Sequence, residues 1–196
     1  MGLAAQTVGW SYGKYSGNNV FADVKGEVHP ERIWIVCAHL DSRSEKPYVR
    51  APGADDNASG VSAVLAIADV VRQQRLRDTV RFVAFTGEEQ GMWGSKSYAK
   101  SLRAGGVQVM GVINLDMLAY DGNDDRVVEL HSGGRQGSVD LAKAFASANV
   151  RYGTGLEIEI KQESASRFSD HSPFWDAGYN AVMAIENFFV DVRPAD

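Results

Sequence analysis

Three apolar runs in this chain each lead into histidine or carboxylate residues, types that can ligate metal ions, and that placement constrains the fold more than any other feature. Ile33-Trp34-Ile35-Val36-Cys37-Ala38 runs into His39-Leu40-Asp41. Thr79-Val80-Arg81-Phe82-Val83-Ala84-Phe85 runs into Gly87-Glu88-Glu89, and Val112-Ile113-Asn114-Leu115 into Asp116. Apolar runs of about four to eight residues, rich in Val, Ile and Phe, read as buried strands. Helical spacing covers Ala58 to about Gln74, Met92 to Leu102 and Gly137 to Val150. Arg126 to Leu130 and Ala181 to Ile185 add two strands, and Val20 to Val28 is β-like with partial alternation. His29-Pro30-Glu31-Arg32 reads as a polar turn, and residues 42–54 as a polar loop with two prolines. Strands alternating with helices predict an α/β sandwich around a mixed, largely parallel sheet. In such sheets the site lies beyond the carboxyl ends of the strands, where these metal-binding residues fall.

At 196 residues the chain has the size of one domain, read here as a single unit over residues 1–196. Its net charge is −5 with both signs mixed along the chain, so no basic run points to nucleic acid or a membrane surface. The longest helical apolar stretch, Val61 to Val71, is broken by Ser62 and Asp69 and is too short to span a bilayer. Met1-Gly2-Leu3-Ala4-Ala5 lacks the basic and apolar regions of a signal peptide. Cys37, the only cysteine, excludes an intramolecular disulfide and reads as a small buried hydrophobe.

Each candidate has a bland reading beside the chemical one. His39 leaves a buried strand, and in extended chain Asp41 lies on the same face, able to hold one ring nitrogen while the other faces a metal. Ala54-Asp55-Asp56-Asn57-Ala58-Ser59-Gly60 precedes a helix, so one acid serves as N-cap or as metal ligand. Capping explains two adjacent acids and an asparagine poorly. Glu88-Glu89 stands at a strand-to-helix junction, where dipole matching competes with a division of labour: one glutamate on metal, the other moving protons. Asp116 sits between Leu115 and Met117, where an unpaired carboxylate is costly, so something positive belongs beside it. Ser169-Asp170-His171 precedes a short helix with Pro173 in its first turn. Two histidines and several carboxylates at successive strand ends suit a pair of divalent metal ions.

Together these segments resemble the bacterial leucyl aminopeptidase group of co-catalytic dizinc metallopeptidases. The matching motifs are Ala38-His39-Leu40-Asp41-Ser42, Ala51 to Gly60, Phe85 to Gly91 with Gly94-Ser95, Asn114-Leu115-Asp116-Met117, and Ser169-Asp170-His171, over about Asn18 to Asn187. The resemblance implies an α/β/α sandwich around an eight-stranded sheet, trimmed at both ends. It implies two zinc ions, with His39 and Asp116 on one, Glu89 and His171 on the other, and Asp56 bridging. It implies Glu88 as general base and Asp41 as the residue that orients His39. The expected activity is release of N-terminal residues from peptides with a free N-terminus, without a nucleic-acid or membrane partner. Relatives are often secreted or periplasmic. Three alternatives share the fold. Glutaminyl cyclases use one zinc. Carboxypeptidases need basic pocket residues, for which Arg151 and Arg167 are candidates. Non-catalytic binding domains lose ligands.

Overall fold

A computed structural model describes residues 2–187 and residue 190. Eight strands form one mixed sheet in the order β1-β2-β4-β3-β5-β8-β6-β7. The parallel centre is β4 (Asp78–Phe85), β3 (His29–His39), β5 (Gln108–Leu115) and β8 (Ala181–Glu186). β2 (Tyr15–Val24) flanks it antiparallel to β4, and β6 (Val127–His131) antiparallel to β8. β1 (Gln6–Tyr12) and β7 (Glu157–Lys161) form the edges.

The central strands read as continuous apolar runs because both faces are covered. α1 (Gly60–Val71) and α3 (Gln136–Tyr152) pack on one face, where Val64, Ala68 and Ala142 meet Val36, Phe82 and Val182. α2 (Trp93–Ala104) and α4 (His171–Asp176) cover the other, where Tyr98, Leu102 and Phe174 meet Ile35, Val83 and Phe85. Ser95, Tyr98, Ala99 and Leu102 recur at helical spacing, so α2 buries one stripe. Each large side chain buried this way is worth about 1.5–3 kcal/mol. The expected α/β/α sandwich is the observed architecture.

Three elements differ from the sequence reading. β1 lies outside the expected strands: it buries Trp10 alone and is held by its antiparallel pairing with β2 across a turn at Gly13 (φ 58°). β7 alternates Ile with charged residues, a half-buried edge pattern. His29 to Arg32 belong to β3 rather than to a turn, with the register shifting between His29 and Ile33 to absorb Pro30.

Connectivity places the site. From β3 the chain crosses through α1 to β4 on one side, then through α2 to β5 on the other. The crossings lie on opposite faces, so a crevice opens beyond the carboxyl ends of β4, β3 and β5.

Candidate metal centre

The buried residues Ile35 to Ala38 carry β3 into the core and leave His39, only 1 % exposed, at its exit. His39 Nδ1 lies 2.9 Å from the main-chain carbonyl of Asp41, which can only accept a hydrogen bond. The ring's other nitrogen, Nε2, lies 3.1 Å from Asp56 Oδ1 and 3.4 Å from Asp116 Oδ1. Burial alone would lower the His39 pKa, but its contacts with Asp116 and Asp56 outweigh burial and push it up to about 12.

The expected role of the Asp41 carboxylate needs correction. It lies 3.8 Å from Nδ1, and its two oxygens accept the main-chain N–H groups of Glu88 (3.3 Å) and Glu89 (3.1 Å). The strand ends at His39, so the alternation that would put both side chains on one face no longer holds at Asp41. Asp41 therefore holds the imidazole through its backbone and the Glu88–Glu89 turn through its side chain.

Asp56 reaches His39 because Asn57 ties the turn before α1 to the end of β5. The buried Asn57 amide donates to Leu115 O (2.9 Å) and accepts from Gly60 N–H (3.0 Å) and Met117 N–H (3.3 Å). Gly60 is required there, because a Cβ would lie 2.3 Å from Asn57 Oδ1 and 2.4 Å from Leu115 O. Asn57, not an aspartate, satisfies the first N–H of α1. Asp55 Oδ1 accepts from Ala119 N–H at 3.0 Å. Of the two adjacent acids, Asp55 latches the loop after β5 and Asp56 faces His39.

The remaining carboxylates crowd the same crevice. Burial and Asp170 push Glu88 up to about 9, against the pull of His39. Burial and Asp56 push Glu89 up to about 7. Glu89 Oε1 is buried without a hydrogen-bond partner, while Arg43 Nε lies 3.9 Å from Oε2. Asp116 Oδ1 is likewise unpartnered beyond its ion-pair contact with His39, and Oδ2 accepts from Ser169 Oγ. Asn114 Nδ2 donates to that hydroxyl at 2.7 Å.

His39, Asp56 and Asp116 each offer a ligand atom, all within 4.8 Å of one another; among the described residues no other such group of three occurs. Glu89 and His171 stand outside it. For His171 this corrects the expected ligand set. Its Nε2 donates to Ser166 O at 2.9 Å, its ring meets Trp175 edge-on at 4.5 Å, and its titratable neighbours include His131 and Arg167. Burial lowers its pKa to about 3. Successive residues at a helix start diverge by roughly 100°. His171 therefore turns away where Asp170 turns in. Asp170 is fully buried, neither oxygen has a partner at ordinary hydrogen-bond distance, and burial raises it to about 7 against the pull of His39 and of the nearby Ser95 hydroxyl. Sequence reasoning gave Asp170 no role, although the argument used for Asp116, a carboxylate among apolar neighbours, applies to it.

Unpartnered buried oxygens on Glu89, Asp116 and Asp170 leave the crevice short of positive charge, which a divalent cation would supply. One imidazole with carboxylates is a donor set that suits zinc.

The sequence pattern of peptidase family M28 matches residues 19–193. A probable zinc metalloprotease of Pyrenophora tritici-repentis is 29% identical over 222 residues, covering 92% of this chain and 51% of that protein. The chain thus spans about half the length of the curated relatives it matches. The structure of a zinc aminopeptidase from Bacillus subtilis superposes with TM-score 0.73 at 26% identity, over 91% of this chain and 42% of that one. A glutaminyl cyclase from Porphyromonas gingivalis superposes with TM-score 0.72 at 21% identity, over 94% of this chain and 70% of that one. At that identity the likeness is one of fold alone.

Proposed function

This chain belongs to peptidase family M28, and on that premise we propose that it is a zinc-dependent aminopeptidase that hydrolyses the peptide bond after a free N-terminal residue. The observation that carries the reading is Glu88, a half-buried residue whose main-chain N–H is held by Asp41 and whose carboxylate feels the charges of His39 and Asp116 in the same crevice. A first zinc would be held by His39, Asp56 and Asp116. A second would be held by Glu89 together with Asp56, the neighbour whose charge most raises Glu89. His171 is not among its ligands. When bound, zinc polarises the scissile carbonyl and acidifies water.

The chain's own residues supply the rest. Glu88 accepts the proton of the attacking water, holds it in a site whose burial favours the protonated acid, and delivers it to the leaving amine. Asp41 keeps Glu88 and Glu89 in register with His39. Arg167 is engaged with Asp176, and Arg151 lies over Tyr152, so neither supports the carboxypeptidase alternative. The likeness to the Bacillus subtilis zinc aminopeptidase supports the N-terminal preference.

Glu88→Gln is expected to keep its zinc and lose about 10²–10⁴ in kcat on an aminoacyl-nitroanilide. Full turnover would remove Glu88 from the role of base. A second reading, glutaminyl cyclisation with one zinc, rests on the single three-ligand group among the described residues. One zinc per chain with cyclisation of an N-terminal glutaminyl peptide would favour it. Absence of zinc would favour a binding domain.

A further inference from the structure

Ser166 is gripped on both sides by imidazoles. Its N–H donates to His131 Nδ1 at 2.7 Å, and its carbonyl accepts from His171 Nε2 at 2.9 Å. His131 Nε2 lies 2.8 Å from Glu129 Oε2, and Glu129 Oε1 lies 3.0 Å from Lys161 Nζ. His131 and Glu129 are buried at the end of β6. A main-chain N–H can only donate, so His131 Nδ1 is a bare acceptor and its proton sits on Nε2, directed at Glu129. A main-chain carbonyl can only accept, so His171 carries its proton on Nε2. Each ring has one tautomer dictated by the same residue.

The held segment connects β7 to α4 and delivers two groups to the metal centre. Three residues after Ser166, the Ser169 hydroxyl bonds Asp116. Asp170 follows, buried beside His39 and Glu88. We propose that Glu129 and His131 are positioning residues for the catalytic centre, acting through Ser166 to set Ser169 and Asp170 against Asp116 and His39. Neither touches a metal-binding side chain. Their effect passes along the backbone from Ser166 to Asp170. The inference rests on the aminopeptidase reading for its kinetic readout only.

Two substitutions separate this role from simple core packing. Asn places an acceptor where His131 Nδ1 stands, whereas Gln places its amide where Nε2 stands and leaves Ser166 N–H without its acceptor. In the full chain, His131→Gln is expected to lower kcat by roughly ten- to a hundredfold with KM changed less, because sub-ångström misplacement acts on the reacting geometry. His131→Asn is expected to retain kcat within about threefold. Hydrogen–deuterium exchange across residues 162–170 should quicken in the Gln variant and stay near that of the unsubstituted protein in the Asn variant. Equal losses in both variants, no loss in either, or unchanged exchange in the Gln variant would overturn the proposal. Should the Gln variant fail to fold, a folded Asn variant with kcat reduced tenfold or with quickened exchange overturns it equally, and native values in both readouts support it. Absence of peptidase activity in the unsubstituted protein would sink the aminopeptidase reading, while exchange still decides whether His131 holds the loop.

Discussion

Zinc added to the metal-free protein at pH 8 should expel close to two protons per chain. His39, raised to about 12 by Asp116 and Asp56 against its burial, carries a full proton at that pH. A ligating imidazole must be neutral, so this proton has to leave. Glu88, near 9, holds about 0.9 proton at pH 8, and Glu89, near 7, about 0.1. Divalent charge in the crevice removes the repulsion that raised both, and they ionise. At pH 6 Glu89 and Asp170, both near 7, hold about 0.9 proton each as well, so release rises toward about four. With two protons released, apparent zinc affinity weakens about a hundredfold per pH unit of acidification near pH 8. Calorimetric zinc titrations in non-chelating buffers of different ionisation heat give the proton number directly. Release below about 0.5 proton at pH 8 would refute the reasoning, because it would mean that His39 is neutral without metal.

Further outcomes follow from the same contacts. The thermal midpoint of the metal-free protein should fall as pH rises from 6.5 to 9.5. Glu88, Glu89 and Asp170 have folded values above their ordinary ones, so their stabilisation is complete below the ordinary carboxylate range and is lost as pH climbs to about 7 for Glu89 and Asp170 and to about 9 for Glu88. His39, also raised, loses its share in the same direction; with zinc bound, the profile should flatten, and a flat metal-free profile would contradict these shifts. Asp41→Ala should leave affinity for the first zinc within about threefold, because the contact with His39 comes from the main chain, while kcat drops through the loosened Glu88–Glu89 turn. Loss of the first zinc in that variant, read by metal analysis, would restore the carboxylate to the orienting role. Gly60→Ala should cost more stability than the roughly 1 kcal/mol a helix gains from alanine over glycine, because the new methyl meets Asn57 and the Leu115 carbonyl. Chemical denaturation measures it, and an unchanged midpoint would argue against the Asn57 tie.

Much of this architecture is legible in local pattern. The runs ending at His39, Phe85 and Leu115 are largely apolar, broken only at Thr79, Arg81 and Asn114, and strands covered on both faces carry that pattern. Edges were harder: β1 buries one tryptophan, and β7 alternates over only five residues, so neither gives a strong periodic signal. At the site, His39, Asp56 and Asp116 converge because three chain segments end at one crevice, and their residue types already mark them as donors. Asp41 and His171 were misread for a common reason. Each stands one or two residues past the end of a regular element or at the start of one, where the direction of a side chain depends on the next contact rather than on periodicity.

The amino-acid sequence by itself determined the alternation of strands and helices and the kinds of donor at the strand ends, since both depend on spacing along the chain. Tertiary structure decided which atom of each donor faces the centre. Asp41 offers its carbonyl to His39 and its carboxylate to a turn, and Asp170 turns inward where His171 turns toward Ser166. Those orientations arise from hydrogen bonds between segments far apart in the chain, which no local pattern encodes.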